Sequence, residues 1–322
     1  MHCPSANVLP ETAVHMQAPK LLVLGCTGQV GWELVRSLQP LGQVLAVDRS
    51  RADLDHPETL EALIQSEAPA VVVNAAAYTA VDQAETDRAR ALRINGEAPG
   101  ILAKAARHVG ALLVHYSTDY VFPGDGQSRW RPDDPVAPMN TYGQTKLAGE
   151  RAIAAEGAEA LVFRTSWVYA ARGRNFLLTM LRLGAERESL RVVADQIGAP
   201  TSARLIAEAT AQALKQALAE RARGDFASAT HHLCAGGETS WHGFAHAIFE
   251  RWRAIAPAPP LAVKSVEAIA SSDYPTPAHR PLNSRLDCSG FEARFGLILP
   301  PWQAGLDLVL AELAATRTTG SP

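Results

Sequence analysis

Tyr142 and Lys146 stand four residues apart in the run Tyr142-Gly143-Gln144-Thr145-Lys146. The residues that follow, Leu147 to Ala152, contain no proline and mostly favour a helix, so both side chains are predicted to leave one helix face. A phenol with an ordinary pKa near ~10 is a poor acid or base at neutral pH, and an ammonium beside it favours the phenolate and lowers that value. Such tuning is what general acid–base catalysis requires, so the pair reads as a proton donor, Tyr142, with a cationic partner. A hydroxyl from Ser117 or Thr118, just after the apolar run Ala111–Tyr116, could share the proton and orient a substrate oxygen. The same spacing also arises where a tyrosine packs and a lysine extends its stem over apolar surface, so the pair takes its meaning from context.

That context begins near the N-terminus. Gly25-Cys26-Thr27-Gly28-Gln29-Val30-Gly31 follows the aliphatic run Lys20–Leu24 and precedes a helical segment. Glycines between a strand and a helix allow a tight turn and a close backbone approach, and the helix start offers unpaired N–H groups to a pyrophosphate. Asp48 closes the second apolar run, where a carboxylate can accept a ribose hydroxyl of NAD; Arg49 and Arg51 follow at once and could meet the 2′-phosphate of NADP. NADPH and NADH both remain open. Asp53 and Leu54 could flank the adenine, although Asp53 also suits a helix cap. The third run enters Asn74-Ala75-Ala76-Ala77-Tyr78-Thr79, whose small residues let a flat ligand lie against backbone.

The elements that must hold these groups alternate. Lys20–Leu24, Val44–Val47, Ala70–Asn74, Ala111–Tyr116 and Ala160–Phe163 are short aliphatic runs, separated by helical segments at Trp32–Leu38, Glu58–Ser66, Ala84–Ile94 and Ile101–His108. Unbroken apolar strands between helices predict an α/β protein of Rossmann-like type, a doubly wound parallel sheet covered on both faces. Residues 20–170 are expected to form the dinucleotide-binding domain, and 171–322 mainly a smaller C-terminal substrate lobe with segments returning to the Rossmann core. Ala185–Pro200 and the proline-rich Ala256–Pro281 interrupt regular patterns, with helices Arg204–Ala222 and Trp241–Ile255 between them. In that lobe Arg174-Asn175-Phe176, Gln196, Arg280 and Asn283 are expected to face the substrate, an arginine suiting a phosphate group by bidentate contact.

Composition narrows the class. The 322 residues are 47% hydrophobic and 20% charged with a net charge of -3, an ordinary globular balance without a basic stripe for nucleic acid. No apolar stretch approaches the ~20 residues of a membrane span, and the first nineteen residues lack the charged and apolar regions of an export signal, so a cytoplasmic location is expected. Residues 1–19 read as a disordered extension, the first fifteen of them before Met16 even as a mis-assigned start. Cys3, Cys26, Cys234 and Cys288 show no C-x-x-C and read as reduced thiols. His242 and His246 are four apart, but nothing near them completes a metal signature.

These blocks, together with Ser117-Thr118-Asp119-Tyr120-Val121-Phe122, Arg164-Thr165-Ser166-Trp167-Val168-Tyr169, Asp195 to Thr201 and Arg280 to Leu286, resemble the extended short-chain dehydrogenase/reductases, and within them the dTDP-4-dehydrorhamnose reductase family. The likeness runs from about Lys20 to about Leu310. It implies NAD(P)H-dependent reduction of the C4 keto group of dTDP-4-dehydro-L-rhamnose to dTDP-L-rhamnose. It further implies Tyr142 as proton donor, Lys146 as its electrostatic partner and ribose ligand, and Thr118 as the tuning hydroxyl. Gly28, Gln29 and Val30 would meet the pyrophosphate, Asp48, Asp53 and Leu54 the adenosine end, and Ala77, Tyr78 and Thr79 the cofactor's flank. Asp119 and Trp167 would join the substrate site. Members bridge subunits through magnesium; Glu33 matches one carboxylate position, but Arg204 stands where another would fall, which argues against the ion. A homodimer is left open.

Two other readings share much of this pattern. A 4,6-dehydratase or 4-epimerase keeps the Tyr–Lys pair, yet dehydration needs a carboxylic acid/base where this chain has Tyr120. A non-catalytic regulatory subunit of the same fold need not retain Thr118, Tyr142 and Lys146 together.

Overall fold

The computed structural model describes residues 18–256 and 258–318, so all but the last two residues of the expected N-terminal extension lie outside it. The first half runs β1 (Lys20–Leu24), α1 (Gln29–Ser37), β2 (Gln43–Val47), α2 (Glu58–Glu67), β3 (Val71–Asn74), α3 (Val81–Ala84), α4 (Arg88–Leu92), α5 (Ala98–His108), β4 (Leu112–Thr118), α6 (Thr141–Glu156) and β5 (Ala160–Thr165). The second half adds β6 (Val168–Tyr169), α7 (Phe176–Glu186), β7 (Ser189–Val193), β8 (Ile197–Gly198), β9 (Thr201–Ser202), α8 (Ala203–Arg223), β10 (Ala229–His232), β11 (Thr239–Ser240), α9 (Trp241–Ala254), β12 (Ser265–Ile269), α10 (Ser289–Phe295) and α11 (Trp302–Thr318).

Six parallel strands form the central sheet in the order β10-β5-β4-β3-β1-β2. Because side chains alternate along a strand, Leu21 and Val23 of β1 join the core under α1, α8 and α10, while Leu22 and Leu24 join the one under α2 and α5. Both faces are therefore apolar, which is why the strands read as unbroken aliphatic runs. The strand order reverses at β1, with β2 on one side and β3 on the other. The crevice beyond the carboxyl ends of β1 and β3 is the ligand position of such sheets.

Three features differ from expectation. The helix expected over Ala84–Ile94 is broken into α3 and α4 and then opens into a π-helical turn, Arg93–Glu97, that turns Asn95 and Gly96 inward. Strand β10, Ala-Thr-His-His, was invisible as an aliphatic run, yet it extends the sheet beside β5, with His231 against the Phe291 and Phe295 rings. The stretches read as irregular, Ala185–Pro200 and Ala256–Pro281, supply β7 and β12, which pair in parallel. A second core under α7, α9 and α11 gathers Phe244, Phe249, Trp252, Trp302 and Leu306. No described helix is long and apolar enough to cross a membrane.

Candidate active site

Helix α6 is anchored at its start, and that anchoring places the phenol. The Asn140 side chain accepts from Gly143 N (2.8 Å) as N-cap and donates to His279 O (2.8 Å). Glu85 accepts from Thr141 N (2.8 Å) and from its hydroxyl (3.0 Å), a carboxylate at the positive end of the helix. Tyr142 thus sits in a fixed first turn, its ring edge-on to Tyr120 with centroids 5.5 Å apart. Lys146, one turn on, is buried with only 2% of its surface exposed.

The electrostatics differ from the simple Tyr–Lys scheme. Lys146 Nζ donates to Tyr116 O (2.6 Å) and meets His115 Nε2 (3.1 Å). Burial, with the Asp119 carboxylate next, pushes the Tyr142 phenol above its ordinary value; a hydrogen bond with Thr118 pulls the other way. Tyr142 is therefore held as the protonated phenol rather than the phenolate. Burial also moves Lys146 down to about 8, against the opposing Glu150 charge, and raises Asp119 to about 6. The Thr118 hydroxyl donates to Asp119 Oδ1 at 3.1 Å, and Ser284 together with Thr118 favours the Asp119 carboxylate against burial.

A cleft of about 540 Å³ opens beside Tyr142 and Lys146 at the crossover of the sheet. Gly25, Gly28, Gln29, Val30, Asp53, Leu54, Ala77 and Thr79 of the expected cofactor set line it, joined by Thr27, Arg49, Ser117, Thr165 and Gly173. The residues fit a dinucleotide. Gly25 has φ 75°, and a Cβ there would lie 2.9 Å from Ala76 N, so the turn and its approach to the third strand's exit demand glycine. The Ser117 and Thr165 hydroxyls are buried at this cleft with no hydrogen-bond partner.

Three expected cofactor residues have other places. Gly31 packs α1 on the turn, where a Cβ would meet Gly25 O at 2.1 Å, so its role is close packing rather than contact. Asp48 accepts from Ser50 N (2.9 Å) and Ser50 Oγ (2.6 Å), bonds that hold its carboxyl below the usual range. The Tyr78 phenol donates to Asp87 (3.2 Å), away from the cleft, and its backbone N–H and C=O are pinned by the Asn95 amide. Arg49, offered for a 2′-phosphate, faces Asp53 (3.0 Å) and Asp55 (3.6 Å).

The substrate set also divides. Gln196 and Arg280 line a second cavity of about 710 Å³ between α7, β7 and α9, together with Phe176, Arg187, Trp241 and Tyr274. Gln196 accepts from Trp241 Nε1 (3.1 Å), and Arg280 pairs with Asp82 (2.8 Å) while its other nitrogen reaches the Tyr120 hydroxyl at 3.5 Å. Tyr120 thereby connects Arg280 to Tyr142. Trp167 lines neither cavity: it stacks on Trp241 at 3.5 Å between ring centroids and holds φ 50°, a conformation that costs a non-glycine residue energy. Asn175 caps α7 through Leu178 N (3.0 Å) and donates to Gln29 Oε1 (2.8 Å), and Asn283 ties Asp125 O and Ser128 O. Both amides are structural here rather than free for substrate. Arg174 lines the first cleft and not the second. Arg204 lies 3.8 Å from Glu33 and 2.6 Å from Glu312, so the carboxylate that resemblance linked to magnesium already faces a cation.

Sequence reasoning missed Glu85, Asn95, Asn140 and His115. Only His115 left a signal, a polar ring inside an otherwise aliphatic strand.

The RmlD substrate binding domain model matches residues 19–315. A dTDP-4-dehydrorhamnose reductase of Burkholderia thailandensis is 55% identical over 91% of this chain and 99% of its own, and that of Escherichia coli K12 is 48% identical over 92% and 98%. Among solved structures, the Bacillus anthracis dTDP-4-dehydrorhamnose reductase in complex with NADP superposes with a TM-score of 0.80 at 32% identity, covering 91% of this chain and 99% of that one.

Proposed function

The chain belongs to the family of dTDP-4-dehydrorhamnose reductases, and from that premise we infer that it reduces the C4 keto group of dTDP-4-dehydro-L-rhamnose with NADPH or NADH, giving dTDP-L-rhamnose. The observation that carries the residue roles is that Tyr142 and Lys146 line one cleft with the glycine loop, burial and Asp119 pushing the phenol up. A reduction ends by delivering a proton to the alkoxide formed from the carbonyl, and a phenol kept neutral by burial and by Asp119 has that proton to give. The bound dinucleotide supplies the hydride.

We assign Tyr142 as the acid, and Thr118 as the hydroxyl whose hydrogen bond favours the phenolate and so opposes the upward push of burial and Asp119. Ser117, with its unpartnered hydroxyl at the cleft, is the donor available to the substrate oxygen; such preorganised donors contribute roughly 3 kcal/mol. Lys146 supports the phenolate left after transfer. The second cavity is assigned to the nucleotide of the substrate, with Arg280 and Arg187 for its diphosphate and Trp241 for an aromatic face. Residues 20–170 then serve mainly the cofactor and the later lobe the sugar nucleotide, in a cytoplasmic enzyme. Tyr120 argues against the dehydratase reading: its hydroxyl is pushed up to about 12, first by burial, and offers no carboxylate. Incubation with the dTDP-4-keto sugar and each nicotinamide in turn, with product identification, tests the reading. Substrate-dependent cofactor oxidation yielding dTDP-L-rhamnose is expected; tightly held NAD with no net oxidation would instead make the chain an epimerase-type enzyme.

A further inference from the structure

His115 has no role in the scheme above, yet it lies between two groups that matter. Its Nε2 is 3.1 Å from Lys146 Nζ and its Nδ1 is 3.1 Å from the side-chain nitrogen of Asn74, the residue directly opposite it in the β3–β4 ladder. All three side chains are buried, none more than 2% exposed. Burial, the largest cause, keeps the imidazole neutral.

Hydrogen-bond accounting then fixes the protons. Asn74 Oδ1 accepts from Ala76 N at 3.2 Å, so the amide nitrogen is the atom that faces His115. Turning the amide over would set its NH₂ against the Ala76 N–H and leave that buried donor without an acceptor, at a cost of roughly 1–3 kcal/mol. An amide NH₂ can only donate, so His115 Nδ1 must accept, and a neutral ring accepting at Nδ1 carries its proton on Nε2. That N–H points at Lys146, one of whose hydrogens goes to Tyr116 O at 2.6 Å. An ammonium has no lone pair to receive it. An amine has.

We propose that Asn74 and His115 are positioning residues that present an N–H to Lys146 and so favour its neutral amine over the ammonium, making the proton easier to lose in the ligand-free enzyme. When the reaction leaves Tyr142 as the phenolate, that anion favours the ammonium, and any Lys146 still neutral takes its proton from solvent. The functional consequence rests on the reductase reading; the proton arrangement does not. Other groups around Lys146 do not replace this control. Glu150, on its own helix, favours the ammonium but is held by Arg164 of β5 at 2.6 Å and 2.9 Å. From β4 and its exit, the Tyr116 hydroxyl is engaged with Thr210 at 2.8 Å and Asp119 with Thr118; from β3 comes Asn74 itself.

The test is an NMR titration of ligand-free protein carrying isotope-labelled lysine, of which the chain has five, with Lys146→Met identifying the signal. The sign of the shift decides between donor and acceptor. If His115 donates, His115→Leu raises the Lys146 midpoint by about one pH unit, and the alkaline limb of kcat/KM moves up with it. A midpoint that falls, as expected if the ring had been accepting from an ammonium, or one that stays put, overturns the proposal. Should His115→Leu fail to fold, the nitrogen shifts of His115 in the unaltered protein decide the matter: a proton on Nε2 supports the proposal and one on Nδ1 overturns it. Since the titration needs no substrate, a raised midpoint without keto-sugar turnover would remove the reductase reading alone, and normal turnover with an unmoved midpoint would remove this one alone.

Discussion

Tyr142 is the residue on which the chemistry turns. Tyr142→Phe removes the proton donor and keeps the ring against Tyr120, so kcat should fall by roughly 10²–10⁴ while NADPH affinity, read by fluorescence titration, changes little. Turnover close to that of the unaltered enzyme would take Tyr142 out of the role. Asp119 tests the electrostatics around it. Because its carboxyl titrates at about 6 and its charge raises the phenol, Asp119→Asn should flatten the pH dependence of kcat near pH 6 and ease the phenol downward; a profile unchanged there would mean that Asp119 does not face the acid. That Tyr142 and Lys146 share one helix was readable from spacing and helix propensity, while a catalytic meaning for the pair needed the glycine loop and the strands around it. Their electrical relation was not readable, because it depends on how deeply both are buried and on His115 lying between strands, which spacing does not report.

Helix starts hold the site together. Asn175 caps α7 and tethers Gln29 of the nucleotide loop, so Asn175→Ala should lower stability by about 1 kcal/mol and weaken NADPH binding several-fold, with kcat at saturating cofactor preserved. A loss of kcat with unchanged cofactor affinity would return Asn175 to the substrate contact first expected of it. At this scale the legible elements were those whose burial is uniform. β1, β3, β4 and β5 are buried along nearly their whole length and appear as aliphatic runs. β10 was hidden because neutral histidines supply its apolar surface, and β7 with β12 because Arg191 and Glu267 pair across them at 3.7 Å and break the pattern. The π-helical turn after α4 is set by what it must reach, Asn95 to the Tyr78 backbone and to Thr145, contacts far away in sequence.

The whole molecule should be acid-sensitive for a definable reason. His115, His231 and His232 have folded-state values depressed by burial, His231 to about 4 and His232 to about 3. The unfolded chain therefore binds more protons below the ordinary histidine value of 6.5, and stability is complete above it and lost as pH falls from 6.5 toward 4, by up to about 1.4 kcal/mol per pH unit for each residue. Asp119, raised to about 6, works the opposite way between pH 3.8 and 6, but one carboxyl does not offset three imidazoles. Thermal melts should show Tm falling over this window, less steeply in a His231→Phe variant; a flat profile would contradict the buried neutral rings. The parallel sheet and its dinucleotide crevice were apparent from the alternation of strands and helices, whereas the way α8, β10 and α10 return to cover that sheet is a matter of tertiary packing. The central claim is tested most directly by following NADPH oxidation with the dTDP-4-keto sugar in the unaltered enzyme and in Tyr142→Phe, side by side. Oxidation that requires the sugar, forms dTDP-L-rhamnose and nearly vanishes in the variant is the expected result; oxidation indifferent to the sugar, or equal in both proteins, would contradict it.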